Sequence, residues 1–173
     1  MKKLNKRTIM IFPEFENIRL IDDIRQKYDP LASLVRPHIT IVFPFELEMS
    51  NEELSQILDT RLEKIKPFAI ELQGFSKGVS QFGNYLLLNL TKGQDIIRHM
   101  HDILYNNEFK ACDLGLEYIP HITVGKLASV EELNDAYEHM NNNCKFFSAI
   151  NKISVEMIGD KEESIIVIEK KLL

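Results

Sequence analysis

At 173 residues, with 45% hydrophobic and 27% charged side chains, the chain can bury one ordinary core, as a single domain of residues 1–173 or as two intimately packed lobes, and is not composed like a disordered tail. No stretch is long or apolar enough to cross a membrane, and the run Ile9 to Phe12 is too short for a signal-peptide core. A net charge of −5, with basic residues interspersed among acids except at Lys2, Lys3, Lys6 and Arg7, excludes extended tracking along nucleic acid and leaves a short end or a small phosphorylated molecule as partner. Thr8 to Phe12 is a β-rich run stopped by Pro13. Ile18, Ile21, Ile24 and Tyr28 recur at helical spacing and end before Asp29-Pro30, which predicts a helix over about 16–28. Arg36 to Phe43 reads as a strand. Ser50 and Glu53 form a capping box, and Leu54, Ile57, Leu58, Leu62 and Ile65 make the apolar stripe of a second helix. Phe68 to Phe75 alternates as a strand does.

The pattern then restarts. Tyr85 to Leu90 is a strand turned at Lys92-Gly93, followed by a helix over about 94–107 that carries Ile97, Met100 and Leu104. Glu117 to Gly125 is a strand, and Ser129 with Glu132 opens a capped helix with Leu133, Tyr137 and Met140 on one face, ended by Asn141 to Asn143. Phe146 to Ile158 and Ser164 to Leu172 read as the two arms of a hairpin over Gly159-Asp160-Lys161. Each half is therefore strand, helix, strand, capped helix, strand, the order expected of a duplicated β-α-β-α-β unit packed with its copy about a pseudo-dyad. Cys112 and Cys144 stand alone, outside any ligand spacing, as the reduced thiols of a cytoplasmic protein do.

One phrase occurs in both halves. Pro37-His38-Ile39-Thr40-Ile41 returns as Pro120-His121-Ile122-Thr123-Val124, with the two histidines 83 positions apart. Residues two apart on a strand project to the same side, so each His shares a face with its Thr while the aliphatic residues share the other. Imidazole titrates near neutrality, and a pair can hold one neutral and one protonated member. The neutral ring can take a proton from an attacking hydroxyl or water while the protonated ring gives one to a leaving oxygen. Two hydroxyls beside them can donate to the non-bridging oxygens of a phosphoryl group. Arg36 has the parity to share the His38 face. Lys126 has the wrong parity for the His121 face unless the strand ends or bulges at Gly125. Phe43 and Phe45 are aromatic candidates for stacking on a base, with Phe43 on core parity.

His-x-Thr followed by an aliphatic residue, twice, in a chain under 200 residues, resembles the two-histidine (2H) phosphoesterase superfamily, and within it the bacterial 2′-5′ RNA ligase or RNA 2′,3′-cyclic phosphodiesterase-like proteins. The resemblance implies an α+β fold, a bilobal pseudo-two-fold arrangement of two antiparallel β-sheets flanked by helices, with a central cleft carrying both motifs. It implies His38 and His121 as the acid/base pair, Thr40 and Thr123 as phosphate ligands, and a site that needs neither metal nor cofactor; Lys126 falls where related proteins often place a basic residue, and Arg36, by its parity, is the other candidate rim contact. The implied substrates are cyclic phosphodiesters and 2′-5′ linkages at nucleotide or RNA ends, with 2′-5′ ligation as the reverse reaction. Two other classes stay open: a nucleotide- or RNA-end-binding module without catalysis, and a metallohydrolase with ions held by His38 and His121. The pattern does not speak to oligomeric state, to whether the 2′ or the 3′ oxygen leaves, or to which His is the base. His99 and His101, two apart on the predicted helix, point about 200° away from one another and make a poor metal pair. His139 is expected to face solvent.

Overall fold

The computed structural model describes residues 6–173, so Lys2 and Lys3 lie outside the described residues. The first half holds β1 (Arg7–Ile11), α1 (Ile18–Tyr28), β2 (Ile39–Phe45), α2 (Asn51–Arg61) and β3 (Phe68–Ser80). The second holds β4 (Gly83–Lys92), α3 (Gln94–Tyr105), a short 3-10 turn (Lys110–Cys112), β5 (His121–Leu127), α4 (Val130–Glu138) and β6 (Lys145–Ile150), and the chain closes with β7 (Lys152–Ile158) and β8 (Ser164–Lys171). Among the described residues these make two four-stranded antiparallel sheets, in the orders β2-β1-β7-β8 and β5-β4-β3-β6. In each sheet the strand bearing the repeated phrase is at an edge, beside the strand that opens its own half.

The sheets do not follow the halves. β3, the last strand of the first half, pairs with β4 and β6 of the second, and β7 with β8 completes the first sheet in its place. One expectation is corrected here. Phe146 to Ile158 is not a single hairpin arm but two strands in different sheets, broken at Asn151. The burial shows why: Phe146, Ser148 and Ile150 point inward, then Ile153 and Val155 do, so the alternation changes phase at the break. The hairpin over residues 159–163 does form between β7 and β8.

The helix ends obey local chemistry. Ser50 Oγ accepts from the Glu53 amide at 3.1 Å and the Glu53 carboxylate accepts from the Ser50 amide at 2.6 Å, closing the box that opens α2. At α4, Ser129 Oγ accepts from the Glu132 amide at 3.1 Å, but the Glu132 carboxylate reaches back one residue further, to the Ala128 amide at 3.2 Å. Gly93 starts α3 with φ +86°, and a Cβ there would lie 2.7 Å from Ile70 Cγ2, so neither backbone nor space admits a larger residue.

A buried core runs continuously through both sheets, including Ile9, Ile39 and Val155 of the first and Leu72, Leu88 and Ile122 of the second. The helices that follow β1 and β4 cross over: α1 packs on β5 and α3 on β2, so each connection from opening strand to motif strand is anchored on the opposite sheet. Arg7, counted in the sequence among a basic N-terminal group, is buried and donates to Leu47 O, Met49 O and Asn51 Oδ1 while its guanidinium lies 5.5 Å from the Phe45 ring centroid. It holds the turn into α2 and is closed to a nucleic acid. Among the described residues, no helix is long and apolar enough to cross a membrane.

Candidate active site

Both motif strands carry the same irregularity. On β2, Thr40 pairs with Met10 and Val42 with Ile9, so Ile41 is an extra residue. On β5, Thr123 pairs with Leu87 and Gly125 with Leu86, so Val124 is the extra residue. In each case the extra residue follows the Thr, and such a bulge shifts the residues after it to the other face, as far as a second irregularity before Phe45 on β2 and to the end of the strand on β5. Lys126 pairs with Tyr85 and thereby joins the face of His121 and Thr123, with its Nζ 5.7 Å from the Tyr85 ring centroid. The bulge at Gly125 that the sequence made a condition for Lys126 is present.

The strands are shorter at their starts than the sequence suggested. Pairing begins at Ile39 and at His121, so Arg36 to His38 and Glu117 to Pro120 are lead-ins outside the ladders. Those lead-ins orient the rings. His38 Nδ1 is 2.8 Å from Arg36 O, and His121 Nδ1 is 2.7 Å from Ile119 O. A carbonyl oxygen can only accept, so both Nδ1 atoms carry the hydrogen, and Nε2 of each ring is the nitrogen that can exchange a proton with a bound molecule. Burial pushes the pKa of both imidazoles below the usual histidine value, against the opposing pull of these carbonyls. His38 also feels the Arg25 and His121 charges, which oppose its protonation, and Asp29, which favours it. β2 and β5 lie against one another, so the two His-Thr faces come together although they belong to separate sheets.

Several supporting side chains carry no motif. Tyr118, in the lead-in to β5, donates from its hydroxyl to Thr40 O at 2.7 Å, and the Phe43 amide donates to the Tyr105 hydroxyl of α3 at 3.1 Å. The edge of β2 is thus held by two tyrosines from the second half, which strap the motif strands to one another. His101 is stacked between them, its ring centroid 3.8 Å from Tyr118 and 4.3 Å from Tyr105. It packs toward β2 while His99 lines a surface groove with Phe68, as their opposed directions on α3 required. Arg25 is 1% exposed, bonds Asp29 at 2.9 Å and reaches Leu31 O, fixing the start of the loop that ends in His38. A readable signal existed: Arg25 sits on the Ile18–Ile21–Tyr28 stripe, where a charge needs a partner, and Asp29 is four residues on.

Arg36 is exposed and lies with its guanidinium 4.4 Å from the Phe12 ring centroid, while Phe12 meets the His38 ring edge-on at 6.1 Å. Phe45 is buried edge-to-face against Phe109 at 4.8 Å and has no free face for a base; Phe43 packs partly buried against the core. His139 is exposed at the end of α4, its Nδ1 bonded to Asp135 O at 2.7 Å.

Comparison with known proteins agrees with this arrangement. Residues 12–150 match the family model of the 2′-5′ RNA ligase superfamily. A Geobacillus thermodenitrificans protein named "Putative phosphoesterase" is 28% identical over 136 residues, covering 78% of this chain and 77% of its own. A similarly named Bacillus mycoides protein is 31% identical over 141 residues, covering 78% and 73%. The fold resembles the crystal structure of Escherichia coli LigT complexed with 3′-AMP, with a TM-score of 0.65 at 15% identity over 98% of this chain and 99% of that one. It also resembles TT0787 of Thermus thermophilus, with a TM-score of 0.62 at 14% identity over 96% and 97%.

Proposed function

From the premise that the chain belongs to the 2′-5′ RNA ligase superfamily of two-histidine phosphoesterases, we propose that it is a metal-independent phosphodiesterase acting on a 2′,3′-cyclic phosphate or a 2′-5′ linkage at a nucleotide or RNA end. The observation that carries this is the matched pair of Nδ1 contacts at His38 and His121, which leave two Nε2 atoms at the starts of two abutting strands, each two residues before a Thr. One neutral Nε2 takes a proton from water as its oxygen bonds to phosphorus. The other ring, protonated, gives its Nε2 proton to the departing ribose oxygen as the P–O bond breaks, and a phosphomonoester remains. Thr40 and Thr123 hydroxyls donate to the non-bridging oxygens, and Arg36 and Lys126 at the rim oppose the negative charge. By microscopic reversibility of 2′-5′ cleavage, the same groups serve a ribose 5′-hydroxyl that gives its proton to the neutral Nε2 as it attacks a 2′,3′-cyclic phosphate, while the P–O3′ bond breaks and the 3′ oxygen takes the proton of the other ring, which forms a 2′-5′ linkage. Crystal structures of LigT with 3′-AMP, ATP and NADP+ support a small nucleotide as the bound unit.

The test is turnover of a panel of cyclic-phosphate and 2′-5′-linked substrates, with products identified by mass. His38→Ala and His121→Ala should each lower turnover by about 10²–10⁴-fold while the variants keep the parent's circular dichroism. Exhaustive EDTA treatment should leave the parent unaffected, since two imidazoles and two neutral hydroxyls lack the carboxylates or thiolates of a catalytic metal site. Near-parental activity in either His variant, or a loss on chelation that one metal restores, overturns the proposal.

A further inference from the structure

On the reading that His38, Thr40, His121 and Thr123 hold the reacting phosphate, we propose a second anion subsite on the first sheet, formed by Lys152 and Lys171, that takes the neighbouring phosphate of a substrate at least two nucleotides long. The pairing of Ile11 with Ile39 sets Phe12 opposite His38, and that of Met10 with Ser154 sets Phe12 opposite Lys152. Lys152 in turn pairs with Lys171. His38, Phe12, Lys152 and Lys171 therefore form one row across all four strands. At about 4.8 Å per strand, Lys152 stands about 10 Å and Lys171 about 14 Å from His38. Phe12 is the shared wall: its ring meets His38 on one side and, with Glu14, Asn151, Lys152 and Lys171, lines a groove of ≈ 420 Å³ on the other. That volume lies in the range of small-molecule sites, about 300–1,000 Å³.

Like charges directly opposite on a sheet are destabilising, and Glu169, two residues before Lys171 on β8, offsets the charge of Lys152 but leaves the Lys171 ammonium without a counter-ion among the described residues. An anion between them removes the repulsion. Lys152 spends one of its three donors on Glu169 at 3.0 Å, and the Lys171 ammonium has no ion-pair or hydrogen-bond partner among the described residues. Glu14 adds an acceptor to the same groove. Two ammoniums, one of them shared with Glu169, for a phosphate, and the Glu14 carboxylate for a ribose hydroxyl or base amino group, match a nucleotide unit better than a bare polyanion. This agrees with a chain whose net charge of −5 disfavours long tracts of nucleic acid.

The experiment compares kcat/KM for a mononucleoside 2′,3′-cyclic phosphate with that for a dinucleotide ending in the same cyclic phosphate. A third substrate is the dinucleotide with an uncharged methylphosphonate linkage. The parent should prefer the charged dinucleotide about fivefold or more, the combined effect of two partly exposed charge contacts. The neutral linkage, or the Lys152→Met/Lys171→Met double variant, should bring that ratio close to one. A ratio unchanged in the double variant overturns the subsite. If the parent turns over none of these, it is the phosphodiesterase reading that fails. The subsite is then judged by calorimetry with a 3′-phosphorylated dinucleotide and the matching mononucleotide. A dinucleotide preference that the double variant loses supports it, and equal affinities overturn it.

Discussion

Burial holds the His38 and His121 imidazoles below the ordinary histidine pKa, and that has a kinetic and a thermodynamic consequence. The proposed reaction needs one ring neutral and one protonated. The kcat/KM profile should then be a bell whose two apparent constants belong to the pair. With both rings pushed down from about 6.5, its maximum should lie on the acid side of that value. A bound phosphate favours the imidazolium, so the kcat profile should peak at higher pH than kcat/KM. A flat profile from pH 5 to 9 with chemistry rate-limiting contradicts the pair. For stability the sign is the same in both residues: the unfolded chain takes up protons at about pH 6.5 and the folded cleft only below it, so stability is full above that pH and declines as pH falls through the window beneath. Denaturant midpoints measured in the parent and in His38→Gln at pH 7.5 and 5.5 check this. The variant should lose less of its midpoint on acidification.

At the scale of elements, the bulges after Thr40 and Thr123 are the feature the two halves share most closely beyond the phrase itself. The second depends on a glycine. A Cβ at Gly125 would lie 2.9 Å from Tyr28 Cβ and 3.3 Å from Leu86 Cβ, so α1 can rest on β5 only if that position is bare. Gly125→Ala should cost about 1–3 kcal/mol by overpacking, read as a lowered urea midpoint, and should lower kcat/KM because the bulge that seats Lys126 must shift. Parental stability in this variant would mean that α1 yields without cost. The helices were legible from periodicity and caps because those signals lie within a few residues of one another. The bulges were not: an extra residue is defined only against the partner strand, and the partner of β5 begins almost forty positions earlier. Parity counted along β5 alone put Lys126 on the wrong face for that reason.

Across the whole molecule, the two motif strands belong to different sheets, and the Tyr118 hydroxyl on the Thr40 carbonyl is a direct bond from the lead-in of one motif to the backbone of the other. Burial raises the Tyr118 pKa well above that of free tyrosine, so the hydroxyl remains a donor throughout the working range. Tyr118→Phe removes that donor with little change of volume and strands the carbonyl. It should cost about 1–2 kcal/mol of stability and lower kcat/KM by about tenfold as the spacing of the two rings loosens. Unchanged turnover and an unchanged urea midpoint would show that the strands hold their spacing without it.

The sequence by itself determined the helices and most strands, the His-Thr faces, the family and thus the two-sheet fold, because each rests on a local period or on a short phrase whose chemistry is complete within five residues. Tertiary structure alone decided that β3 crosses into the second sheet, that Phe146 to Ile158 divides between sheets, that Arg7 and Phe45 are buried supports, and that Tyr118, Arg25 and Phe12 stand around the histidines. These are contacts between residues tens of positions apart or more, or choices among equally satisfied edge strands. Their energy exists only once both partners are placed, so no window of sequence contains it.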